Sequence, residues 1–173
     1  MAKKSSWVAL AGFGAVVGGV AWLGSRKSPR DLRTKLWYQR LKKPPFNPPD
    51  AVFPVVWSML YALMAYSGWR TWEQPLSLPR RRALLLWATQ LGLNAGWAQL
   101  FFGSHRPRLA LADVVAMETA ILAYIREVGG VDPVAAVCFV PYAAWVAFAT
   151  LLNAEIVRRN PEAEKIRPRP SAV

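Results

Sequence analysis

A chain of 173 residues is the length of one domain, and 54% of this one is hydrophobic, including nine tryptophans. A formal net charge of +12 would point to nucleic acid in a soluble protein, but here the charges cluster between long uncharged runs, which argues against that partner. A single cysteine (Cys138) and a single histidine (His105) exclude a disulfide framework and speak against a metal centre or histidine-base chemistry.

The uncharged runs set the fold class. Ala51–Trp69, Ala83–Gly103 and Pro133–Ala154 contain no Asp, Glu, Lys or Arg over 19, 21 and 22 residues. A helix crosses the hydrocarbon core with about 20 predominantly apolar residues. Trp7–Gly24 adds 18 more, and Leu109–Ile125 adds 17 interrupted only by Asp113 and Glu118. The pattern predicts an all-α membrane protein, a five transmembrane helix bundle. The expected spans are 6–24, 51–72, 83–103, 108–126 and 133–157, in one domain over residues 1–158, with a flexible charged tail at 159–173.

In the first span Lys3 and Lys4 precede the apolar run, as in a signal peptide. The run is longer than a signal core and stops at Ser25-Arg26-Lys27, so it reads as a retained helix. Gly14 and Gly18 have the small-xxx-small spacing that lets helices approach closely, either within the chain or across a dimer.

Loop one, residues 25–50, is basic and then proline-dense. Pro44, Pro45, Pro48 and Pro49 fix φ and restrict their predecessors, which predicts a stiff loop. With the 103–108 turn and the C-terminal tail, this loop carries fifteen Lys/Arg against seven on the other side. The positive-inside rule therefore places loop one and the C-terminus in the cytoplasm, although Arg80–Arg82 run against it. Which membrane holds the protein is not legible.

Span two carries Trp57 and Tyr61 one turn apart on one face, directly after the stiff loop, an arrangement that suggests a lid over a pocket. In span three, Gln90, Asn94, Trp97 and Phe101 share a face, and a mid-membrane amide needs a partner on another helix or on a ligand. In span four, Asp113 and Glu118 lie about 140° apart around the helix, so they form no catalytic pair. Asp113 is expected near Arg106 and Arg108 at a wet helix end; Glu118 is deeper and has no assigned partner. In span five, Pro141 is expected to kink the helix beside Tyr142, Trp145, Phe148 and Ala149, which marks either a cavity or plain packing.

Four stretches together resemble one family. They are WYQRLKKPPFNPPDAVFPVVWSMLY (37–61), LNAGWAQLFF (93–102), LADVV around Asp113, and PYAAWVAFATLLN (141–153). The chain is similar, in order and spacing over nearly its whole length, to the translocator protein family (the TspO or peripheral-type benzodiazepine receptor group), in particular its bacterial members. The resemblance implies a homodimer of five-helix bundles with a pocket under loop one that binds porphyrins such as protoporphyrin IX and haem. By that resemblance Trp57, Tyr61, Asn94, Trp97, Trp145 and Ala149 line the pocket, Tyr38 and Pro45 close it, and Ala144 marks a helix contact. No cofactor is required; the tetrapyrrole is a ligand.

The resemblance also links residues matching Trp57 and Trp145 to light-dependent porphyrin breakdown, so these two are the catalytic candidates of an alternative, enzymatic reading. No acid–base dyad, nucleophile–histidine pair or metal cluster supports conventional catalysis. A third reading is a regulatory membrane scaffold. The family's animal sterol motif needs a tyrosine where this chain has Ala154, so cholesterol is not expected as a native ligand. The leading expectation is a receptor or carrier for a flat, apolar, anionic molecule, contacted by membrane lipid on its outer side, with a role in tetrapyrrole regulation or transport.

Overall fold

The structure, a computed structural model, describes residues 2–27 and 32–165; residues 28–31 of loop one and 166–173 of the expected tail lie outside the described residues. Six α-helices follow in order: α1 (Ala2–Lys27), α2 (Leu32–Arg40), α3 (Val52–Glu73), α4 (Leu78–Ala98), α5 (Pro107–Gly129) and α6 (Pro133–Arg159). A π-helical turn, Gln99–Gly103, extends α4. Five of these helices are long, and each overlaps one of the stretches expected as a span.

Three helices are long and apolar enough to cross a membrane by length and composition: α1 over Ser6–Arg26, α3, and α6. The other two long helices, α4 and α5, have 21 and 23 residues but carry more polar side chains. Arg80–Arg82 belong to the first turns of α4, which begins at the Ser77 cap, earlier than the uncharged run suggests; the Ser77 hydroxyl accepts from Arg80 N.

Successive long helices run antiparallel. One end of the bundle, the lid end, gathers α2, the π turn and the start of α3 around the C-terminus of α6. The far end gathers the C-terminus of α3, the N-terminus of α4 and the 129–133 connection.

Polar side chains tie the helices together inside the core. The Tyr124 hydroxyl lies 2.8 Å from both Ser67 Oγ and Thr71 Oγ1, and Ser67 Oγ donates to the Ala135 carbonyl at 2.7 Å, linking α3, α5 and α6. Trp87 Nε1 of α4 donates to the Met64 carbonyl of α3 at 2.9 Å. Where this pairing occurs, no side chain fits beside it. A Cβ at Gly68 would lie 2.7 Å from Phe13 Cδ1 and 2.7 Å from the Trp87 ring, so a glycine is what lets α1 and α4 close over α3.

Asp132 caps α6, accepting from Val134 N at 3.0 Å and Ala135 N at 3.2 Å. Its carboxylate also takes Arg70 Nε at 2.9 Å, Arg70 Nη2 at 3.2 Å and Gln74 Nε2 at 2.9 Å. Burial pushes the Asp132 carboxyl up, but the Arg70 guanidinium and the two backbone N–H groups outweigh it and hold it below the usual carboxylate range.

Three expectations need correction. Loop one is not an unbroken stiff loop: α1 runs on to Lys27, and 32–40 is helix, because Thr34, Trp37 and Leu41 recur at helical spacing and bury one face. The segment after α6 stays on the bundle as far as Lys165: Ala163 is buried and its carbonyl accepts from Trp37 Nε1 at 3.2 Å. Gly14 and Gly18 point outward, with nothing within 4 Å of where a Cβ would stand, while Val17 between them is the buried residue; Ala144 is exposed too. These three residues therefore make no helix contact within the chain. Asp113, half-buried near the start of α5, lies against Gly96 of α4, whose Cβ would stand 3.1 Å from Asp113 Oδ1. Through Pro141, α6 continues as one helix from Pro133 to Arg159.

Two outcomes are expected from this packing. Gly68→Val overpacks the α1–α3–α4 junction and lowers stability in detergent by about 1–3 kcal/mol, read as a drop in the thermal midpoint, whereas Gly14→Ala, with open space beside it, leaves the midpoint unchanged. Asp132→Asn lowers the midpoint at neutral pH. Because the folded-state pKa lies below the ordinary 3.8, the contribution of Asp132 is full above that value and fades as pH falls through the folded pKa. The difference between wild type and variant therefore narrows in acid; a difference independent of pH would contradict this account.

Candidate functional site

The aromatic residues sort by position. Trp7, Trp22 and Trp72 are exposed on the outer surface, Trp37 and Trp87 are buried, and Trp57, Trp97 and Trp145 are half-buried at the lid end. The half-buried set contains the tryptophans singled out by spacing.

Asn94 organises this end. Tyr61 Oη of α3 donates to Asn94 Oδ1 at 3.1 Å, and Asn94 Nδ2 donates to Tyr142 Oη of α6 at 3.2 Å. The Tyr142 hydroxyl in turn donates to Met117 Sδ of α5 at 3.3 Å. One amide therefore links α3, α4, α6 and, through Tyr142, α5. Gln90, one turn earlier on the same face, spends its amide N–H on its own helix, at the Trp87 carbonyl 2.9 Å away, and its Oε1 is sealed without a partner.

The rings around this node touch one another. Trp57 lies 5.2 Å from Tyr61 and 6.1 Å, edge-on, from Tyr142, centroid to centroid. Trp145 contacts Phe53 at 5.9 Å and Phe148 at 5.6 Å. From loop one, Phe46 closes on Phe148 at 6.2 Å. Such offset and edge-to-face pairs hold rings by quadrupole and dispersion terms rather than by hydrogen bonds, so they can part and re-form. Ala149, half-buried on α6, is the small residue next to Phe148.

Trp97 stands on the neighbouring side. Its ring stacks on Phe101 at 5.1 Å and 17°, and its Nε1 donates to Asn153 Oδ1 at 3.1 Å. Asn153, buried on α6, donates onward to the Pro107 carbonyl at 2.9 Å. Tyr38 packs edge-on against Phe101 and Phe102, with Lys43 Nζ 3.7 Å above its ring. Burial first, and the Asp50 carboxylate second, push the Tyr38 phenol up to about 12, so it stays neutral at physiological pH.

The lid is anchored by residues that spacing did not single out. Trp37 is fully buried, stacks on His105 at 4.4 Å and donates to the Ala163 carbonyl. Asn160, just past α6, takes Lys42 N at 2.9 Å on its Oδ1 and donates Nδ2 to the Lys42 carbonyl at 3.1 Å. An asparagine at a helix C-terminus was the available signal, and it was read as part of the tail. Of the lid prolines, Pro44 is buried and Pro45 is exposed.

Asp113 and Glu118 are half-buried single carboxyls on α5, each with one oxygen sealed without a hydrogen-bond partner. Among the described residues no group of three or more His, Cys, Asp or Glu gathers as for a metal ion.

Known proteins similar to this chain show its family. A family model described as the TspO/MBR family matches residues 11–159. The chain is 38% identical over 154 residues to the tryptophan-rich sensory protein of Cereibacter sphaeroides, covering 89% of this chain and 92% of that one. It is 38% identical over 128 residues to the protein CrtK of Rhodobacter capsulatus, covering 72% and 79%. It is 34% identical over 157 residues to the translocator protein of Homo sapiens, covering 89% and 91%. With a match that spans five of its six helices, and with several helices apolar enough to cross a bilayer, this chain is a multi-pass integral membrane protein and belongs to the TspO/MBR family.

Proposed function

We propose that the chain is a five-span membrane receptor or carrier that binds a flat, apolar, anionic ligand, a porphyrin such as protoporphyrin IX or haem, between the aromatic rings of the lid end. The observation that carries this reading is the position of Trp57 and Trp145. Both are half-buried at the end of the bundle that holds the Tyr61–Asn94–Tyr142 chain, rather than turned outward like Trp7 and Trp22.

The chemistry fits a macrocycle. Trp57, Tyr61, Trp145 and Phe148 offer ring faces for stacking, and Asn94 supplies a fixed polar contact among them. Lys43, poised over Tyr38 at the rim, gives a cation for a propionate. Binding requires the Phe46–Phe148 contact to open, since these rings close the cluster from the lid side. Trp97 borders the site and is aimed by Asn153. In this reading the lid end faces the cytoplasm, and the outward-facing Gly14, Gly18 and Ala144 are free to meet a second copy in a homodimer.

Titration of the purified protein with protoporphyrin is expected to quench tryptophan fluorescence saturably. Asn94→Leu and Trp145→Ala should each weaken binding by roughly tenfold, about 1.4 kcal/mol, while Trp22→Phe, outside the cluster, leaves it unchanged. Quenching that never saturates, or equal affinity in all four proteins, would overturn the assignment.

A further inference from the structure

The far end of the bundle holds a feature that the lid-end site does not use. A groove of about 400 Å³ runs between α1, α3 and α4, walled by Phe13, Trp72 and Trp87 and open above Gly12, where a Cβ would meet nothing within 4 Å. Its lining is almost wholly apolar. Trp72 also borders a second depression, of about 610 Å³, lined by Ser77, Arg80 and Arg81 at the start of α4. The two therefore meet at one indole, the first apolar and the second offering two arginines among leucines.

The charge at the cationic end is uncompensated. Arg82 has Glu127 at 3.9 Å, but among the described residues no carboxylate lies within 4.0 Å of Arg80 or Arg81. Arg80 is 8% exposed, its Nε donates to the Thr71 carbonyl at 3.3 Å and its Nη2 to the Trp72 carbonyl at 2.6 Å, and its guanidinium lies 4.8 Å from the Trp72 ring. Carbonyl dipoles and a ring face orient this cation without neutralising it, and a buried charge without a counter-charge is costly.

The depth of the site names the ligand. Trp7 and Trp72, 69% and 49% exposed, mark this end as the level of the lipid headgroups. An occupant must carry an apolar chain into the α1 groove and a net negative charge to Arg80 and Arg81. We propose that this groove is a binding site for one anionic phospholipid of the surrounding bilayer, its acyl chain over Gly12 and its phosphate at Arg80 and Arg81. The basic run Arg80–Arg82, which opposes the orientation given by the rest of the charges, then has a local partner.

The test uses the full-length protein in detergent, with lipid retention read by native mass spectrometry and stability by thermal unfolding. Phosphatidylglycerol is expected to remain as one bound lipid per protomer and to raise the midpoint, with phosphatidylcholine retained roughly tenfold less. Arg81→Gln, at an exposed position, should abolish the preference for the anionic lipid. Gly12→Leu should fill the groove and remove the adduct while leaving the lipid-free midpoint unchanged. Equal retention of phosphatidylcholine, or full retention of phosphatidylglycerol in both variants, overturns the proposal. So does stabilisation by glycerol phosphate alone, because an anion site would then exist without the groove.

Discussion

The aromatic end of the bundle depends on one buried amide, that of Asn94. In a bilayer the lipid tails are as apolar as the helix surfaces, so apolar burial gives little drive for one helix to find another. Close packing and paired polar groups decide rotation and register instead. Asn94 can satisfy its oxygen and nitrogen only if α3 presents Tyr61 and α6 presents Tyr142 to the same point on α4. With those rotations fixed, Trp57, one turn before Tyr61, and Trp145, three residues after Tyr142, come to the lid end of the same interior. The aromatic cluster thus follows from a hydrogen-bond constraint.

The two ends of the bundle are held differently. At the far end, Arg70, Gln74 and the first backbone N–H groups of α6 converge on Asp132, a charge-assisted set that resists opening. At the lid end, one face of α2 is buried through Trp37, and the loop backbone is tied to Asn160 by two neutral hydrogen bonds, while Phe46 meets Phe148 by ring contact alone. The weaker set lies where a ligand would enter. A base held by charge and a cap held by weaker contacts is the division that the proposed binding role requires.

Much of this was legible in the residues. Uncharged runs of about twenty residues located the long helices, and the steps of four and three placed Gln90, Asn94 and Trp97 on one side of α4. The pairing of Asn94 with two tyrosines from different helices was not legible, because periodicity gives a face and not its neighbour. The buried face of α2 escaped notice because the density of lysine and proline around it reads as loop, and nine residues are too few for a clear period. Small-residue spacing alone does not say where helices meet: within this chain Gly14 and Gly18 face open space, while the close approaches fall at Gly96, which shares that spacing with Gly92, and at Gly68, which lies in no such motif. Asn153 reads as one more residue of span five and Asn160 as part of the tail, yet one aims Trp97 and the other clamps the lid.

The most direct test of the central claim is a double-mutant cycle across the Asn94 node, with Tyr61→Phe, Asn94→Ala and the double variant unfolded thermally in the same detergent. If the amide joins the helices as described, the two losses are not additive, and the coupling between Tyr61 and Asn94 is on the order of 0.5–1.5 kcal/mol. Strict additivity, with each variant losing stability independently of the other, would contradict the account.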